Sequence, residues 1–76
     1  MNPDEKIVFI KKVVDSFTHP FITSTDSYKE INRILDQNID SFTKLFIIKE
    51  LLNKNKFSLF EKTDFYRIIK KIVDKP

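Results

Sequence analysis

Apolar residues recur along most of this 76-residue chain at the spacing of a helix rather than that of a strand. Ile7, Ile10, Val13, Val14 and Phe17 form a first stripe, with Val8 turned away from it and Phe9 at its edge. Asn2, Pro3 and Glu5 supply a cap, a first-turn proline and a capping-box partner. A helix is therefore predicted near 3–18, ending where Pro20 pushes His19 out of the α region, with Phe21 and Ile22 in a loop folded over the end of the core. Tyr28, Ile31, Ile34 and Leu35 define a second, narrower stripe near 25–37, with Asn38 as its left-handed stop. A third helix near 41–53, capped by Asp40, carries Phe42, Leu45, Phe46, Ile47, Ile48, Leu51 and Leu52 and is apolar almost all round. Such a helix is either central or part of a homodimer interface. In the last segment Phe65, Tyr66, Ile68, Ile69, Ile72 and Val73 face in, and Asp64, Arg67, Lys70, Lys71, Asp74 and Lys75 face out. Its start is offered by Ser58 with Glu61 or by Thr63; the capping-box pair favours a helix near 59–75, which turns Phe60 onto the polar face.

These elements predict an all-α fold, a small single-domain four-helix bundle over residues 1–76 without a sheet, which homodimerisation could complete. Its expected core is Ile10, Val14, Phe17, Ile31, Leu35, Phe42, Leu45, Phe46, Leu52, Phe65, Ile69 and Ile72. Two short strings recur. Residues 10–15 resemble 69–74, and residues 15–18 resemble 40–43, at offsets of 59 and 25 that share no period, so no solenoid is implied. The plain reading is two amphipathic helices written in a restricted alphabet; a sharper one pairs the first and last helices pseudo-symmetrically.

Composition narrows what the helices can do. The chain has no glycine and no alanine but eight phenylalanines, and it is rich in lysine, isoleucine and asparagine, a usage that fits an AT-rich genome. Without glycine, tight primed hairpins, phosphate-cradling loops and Rossmann turns are disfavoured. Without cysteine, and with His19 as the one histidine, neither a disulfide nor a zinc site is expected, so the aromatic core must carry stability. The acidic start is unlike a secretory signal, and no apolar run approaches a membrane span. A cytoplasmic location is expected.

The net charge of +3 is unevenly placed, with nine Lys/Arg against five Asp/Glu in residues 39–76 and five against six in residues 1–38. Arg67, Lys70, Lys71 and Lys75 on one face of the last helix are a candidate nucleic-acid surface, interrupted by Asp64 and Asp74. A helix-turn-helix around residues 38–40 would make the most apolar helix the recognition helix, which argues against it. An anionic membrane surface is a weaker alternative for the same lysines. Catalytic equipment is thin. His19 has no nucleophile beside it, and beyond a pairing with Asp15 it reads as a helix-end histidine. Asp36 with Asp40, or Asp64 with Asp74, lack the loop or spacing of a metal site. No enzyme activity, cofactor or metal is expected.

A non-catalytic protein-binding role is the favoured expectation. Val8 and Phe9, and Phe57 and Phe60 flanked by Lys56 and Lys62, are apolar groups that the stripes do not bury; either loops fold back over them, Phe57 above all, or they are exposed aromatics among lysines, the typical anchors of an interface. Residues 51–61, Leu-Leu-Asn-Lys-Asn-Lys-Phe-Ser-Leu-Phe-Glu, followed by an amphipathic helix, resemble the last helix–loop–helix of the four-helix bacteriocin immunity proteins, in which Phe-Ser/Thr-x-x-Glu opens the final helix. The resemblance covers about a third of the chain and implies a cytoplasmic protein of a low-GC bacterium that binds a membrane receptor–toxin complex. A small phage-encoded inhibitor of a host protein has the same features.

Overall fold

In the computed structural model of the protein, which describes residues 1–56 and 58–76, the chain forms five α-helices, four of them long. They are α1 (Pro3–Ser16), α2 (Pro20–Thr23), α3 (Asp26–Asp36), α4 (Ser41–Lys54) and α5 (Asp64–Asp74), with a 3₁₀ turn at Phe60–Lys62. No strand occurs among the described residues. The expected start of α1 is present in full: Asn2 Oδ1 accepts from the Glu5 amide at 2.9 Å and Glu5 Oε1 from the Asn2 amide at 3.4 Å. The helix stops earlier than expected, because Phe17 turns extended and swings its ring edge-on against Phe65, 5.1 Å between centroids. The predicted loop at Phe21 is also helical. Pro20 opens α2 at its first position, and His19, rather than ending α1, caps α2 by accepting the Phe21 amide on Nδ1 at 3.1 Å. Ile22 is buried while Phe21 points out.

The final helix begins later than predicted. Ser58 makes no cap; its hydroxyl donates to the Asn55 carbonyl, and Thr63 caps α5 by accepting the Tyr66 amide at 3.2 Å. The resemblance to the immunity proteins therefore loses the motif that carried it. The intervening 3₁₀ turn carries Phe60 inward onto Phe65 and Tyr66, 5.9 and 5.8 Å between centroids. Phe60, expected on the surface, is only 8% exposed.

A second correction concerns α4. Ile48 and Leu52 are buried, Leu45, Ile47 and Leu51 pack at the margin, and the predicted core residues Phe42 and Phe46 are 69% and 59% exposed. The physical reason is size: α1, α3 and α5 cover one side of α4, and a domain this small has nothing left for the other. Phe17 and Ile72, also expected inside, lie at the edge of a core built on Ile10, Val14, Ile31, Ile34, Leu35, Ile69 and Phe65.

The architecture contains a repeat that neither short string revealed. Each of α1, α3, the Asn2 cap and the Thr25 cap has its counterpart in α4, α5, Asp40 and Thr63 at an offset of 38 residues. Nine of the 38 aligned positions are identical, among them Ile10 and Ile48, Thr25 and Thr63, Tyr28 and Tyr66, and Ile31 and Ile69. Thus α1 corresponds to α4, not to the last helix. Contacts repeat with the residues. Thr25 donates to the Ile22 carbonyl and Thr63 to the Phe60 carbonyl, both at 2.7 Å, and Tyr28 and Tyr66 donate to the Val14 and Leu52 carbonyls at 2.7 and 3.1 Å. Between halves the contacts are reciprocal: Lys6 donates to the Val73 carbonyl at 3.0 Å and Lys44 to the Leu35 carbonyl at 2.7 Å. Such exchange is what a two-fold axis between halves produces.

These bonds also explain how helices end in a glycine-free chain. A helix leaves its last carbonyls without internal partners, and a left-handed glycine usually closes them. Here α3 leaves through Gln37 in an extended conformation, and a tyrosine or lysine from elsewhere caps each long helix.

Candidate functional site

Several of the apolar side chains that the fold leaves uncovered, among them Val8, Phe42 and Phe46, line grooves between helices. One groove, of about 270 Å³, is lined by Pro3 and Lys6 of α1, Phe42, Leu45, Phe46 and Lys49 of α4, and Val73 of α5. Phe42, Phe46 and Lys49 share one face of α4 because residues three and four apart are helical neighbours. Its counterpart under the 38-residue repeat, of about 330 Å³, is lined by Ile7, Val8, Lys11, Lys12 and Leu35. Leu45, Phe46, Lys49 and Val73 thereby match Ile7, Val8, Lys11 and Leu35, one apolar or lysine side chain for another of the same kind. No carboxylate lines either groove. Lys11 does face Asp15 at 3.3 Å, so the groove at Val8 is the less positive of the two.

The sequence-predicted anchors do not form one surface. Val8 lines its groove, while Phe9 sits under the Lys12 ammonium at 5.5 Å and lines a separate depression with Met1, Lys71, Ile72 and Lys75. Lys56 and Lys62 are exposed, Phe60 is interior, and Phe57 lies outside the described residues. In place of Phe60, the neighbouring Leu59 is 82% exposed and shares a cleft with Phe21, Thr25, Phe60 and Thr63. Exposed Leu59 and the Phe42/Phe46 pair were missed because helical spacing says which residues share a face, not which face a neighbour covers.

Half of the candidate nucleic-acid face is neutralised by its own helix. Arg67 pairs with Asp64, and Lys70 donates to Asp74 at 2.7 Å, an interaction that raises the Lys70 pKa above its ordinary value. Lys71 and Lys75 remain beside them in a shallow depression. His19 is exposed and its Nδ1 is engaged as a cap, while Asp15 pairs with Lys11 instead of with it. Asp40 is likewise a cap, its carboxylate held below the ordinary range by hydrogen bonds from the Thr43 hydroxyl and amide. Burial raises the Tyr66 phenol, whose proton goes to the Leu52 carbonyl. No group of three or more His, Asp or Glu side chains that could hold a metal ion, and no helix long and apolar enough to cross a membrane, occurs among the described residues. No family model matches the chain, and no curated protein or solved structure matches it.

Proposed function

We propose that the protein is a non-catalytic binding module that acts on another protein, its four long helices serving as a bundle-like scaffold for the groove at Phe42 and Phe46. The observation that carries this reading is the exposure of those two rings on one face of α4, beside Lys6 and Lys49. An exposed phenylalanine contributes little to folding, whereas an aromatic anchor in a polar rim is the usual centre of a protein interface. The contact surface accordingly moves from Phe60, which belongs to the core, to α4. The pairing of Arg67 and Lys70 with their own helix's aspartates weakens the case for a phosphate-binding face on α5. An inhibitor, adaptor or immunity-type role in the cytoplasm of a low-GC bacterium or its phage fits such a module.

The test replaces Phe46 with a photoreactive phenylalanine analogue and irradiates cells of the source organism. A covalent adduct with one protein, lost when Phe42→Glu is added, is the expected result. Adducts with nucleic acid alone, together with retention on duplex DNA that Lys71→Glu and Lys75→Glu abolish, would assign the protein to the competing class.

A further inference from the structure

We propose that the two repeat-related grooves each dock one copy of the same kind of occupant, an acidic amphipathic helix, so that one chain binds two. The proposal rests on the protein-binding reading and adds the chemistry and number of the ligands. Core positions must stay apolar in any repeat, but the grooves also keep their character at two positions that reach solvent: Val8 and Phe46 are both more than half exposed, and the half-buried Lys11 and the exposed Lys49 are identical, whereas Lys12 and Phe42 correspond to Glu50 and Asp4 outside the linings. Folding alone places no such demand on solvent-facing side chains.

Charge selects the occupant. Each lining combines apolar side chains with two lysines and no carboxylate, and Glu50, one turn beyond Phe46 on α4, lies outside it. A ligand with an apolar stripe flanked by Asp and Glu is complementary to both parts. A second copy of this chain packed groove to groove is not, because such a contact sets one lysine rim against another. Shape selects a helix. The run from Phe42 to Lys49 spans two helical turns, roughly 10 Å, and anchors of a docked helix recur on that spacing. Strand addition needs a sheet edge, and the described residues have none. Since Asp15 offsets Lys11, the groove at Phe46 is the tighter of the two.

The experiment selects, on the intact protein, a displayed library of helical peptides roughly 14 residues long, four turns, randomised along the stripe and its flanks. Enriched sequences should carry Asp and Glu beside the apolar stripe. The best of them, titrated calorimetrically, should bind with a stoichiometry of two, the tighter site weakened roughly thirtyfold by Phe46→Glu and the weaker one by Val8→Glu. Circular dichroism of both variants checks that these exposed positions leave the fold intact. Enrichment of basic or uncharged peptides, a stoichiometry of one, or no enrichment over the Val8→Glu/Phe46→Glu double variant overturns the proposal. So does self-association, or binding to phosphatidylglycerol vesicles, that Phe46→Glu abolishes. If the peptides fail while the Phe46 photo-adduct with a protein persists, the binding reading stands and only the occupant and its number fall.

Discussion

Where α1 ends, Phe17 meets Phe65 edge-on at 5.1 Å; where α4 ends, the equivalent residues Asn55 and Ser27 share a hydrogen bond of 3.1 Å. The two contacts occupy the same place in the repeat, each joining one half to the other. One is the centre of the aromatic core, with Tyr28 and Phe60 also packed on Phe65, and the other is a half-buried polar clasp. The capping and cross-half hydrogen bonds thus repeat, while the chemistry at this one junction does not. A repeat of this kind needs only one strong hydrophobic centre, provided that its polar counterpart satisfies its own hydrogen bonds.

That asymmetry predicts unequal losses. Phe65→Ala removes a fully buried ring and should cost about 3–5 kcal/mol, a large share of the stability of so small a domain. Ser27→Ala, at the equivalent position, should cost about 1 kcal/mol. Urea denaturation of both variants measures the difference, and similar midpoints would mean that the core is shared evenly between the halves.

Phe60→Ala tests the neighbouring pair. Its counterpart is Ile22, and both seal the core from the short turn in front of the next helix. Because Phe60 packs on Phe65 and Tyr66, its truncation should cost about 3 kcal/mol, and Ile22→Val about 1 kcal/mol. By contrast, Phe46→Ala should stay within about 0.5 kcal/mol of the parent. A melting temperature unchanged by Phe60→Ala would return this ring to the surface.

These positions also mark where sequence reading works and where it stops. The N-caps at Asn2 and Asp40 and the inward stripes of α1, α3 and α5 were legible, because each depends on residues within a turn or two; the exception is Ile68, expected to face in, which lies at the outer margin of the α5 stripe and is 39% exposed. The start of α5 was not, since the local chemistry of Ser58 with Glu61 favours the earlier start and the choice falls to Phe60, which gains a core site only if the helix waits until Asp64. The two faces of α4 were equally apolar in the sequence, so only its neighbours decide that Ile48 is inside and Phe46 outside. The 38-residue repeat escaped because it is kept mostly as chemical class, such as Ile7 for Leu45 or Val14 for Leu52, and short identical strings at other offsets mask it. For the candidate site, Val8 was legible as an apolar residue off its stripe; its partnership with Phe46 was not.

The lysines that cross between halves offer a smaller and more symmetric perturbation. Lys6→Met and Lys44→Met keep the aliphatic stem and remove the donor to the Val73 and Leu35 carbonyls. Each should cost about 1 kcal/mol. Equal losses in thermal denaturation would sharpen the two-fold relation, and a loss confined to one variant would break it. Amide exchange should quicken in the last turn of α5 for the first variant and of α3 for the second, since each loses the cap on the opposite half.

The equivalent caps Asn2 and Asp40 differ in whether the capping side chain itself ionises, which yields the smallest effect. Both side-chain oxygens accept the amide three residues on, from Glu5 at 2.9 Å and from Thr43 at 3.1 Å, but only the carboxylate titrates. Hydrogen bonds from the Thr43 hydroxyl and amide lower the folded pKa of Asp40 below its ordinary value. A lowered folded pKa means that the stabilisation is complete above the unfolded carboxyl pKa and is lost as pH falls through the lower folded one. Acidification below about pH 4 should therefore fray the first turn of α4 while the Asn2 amide cap of α1, which has no proton to gain, is retained. NMR titration of the Thr43 amide should show an inflection below the ordinary aspartate value, and Asp40→Asn should abolish it while keeping the cap. An inflection above that value would mean that burial, not hydrogen bonding, governs this carboxylate, and a flat titration would mean that Thr43 is not its partner in solution.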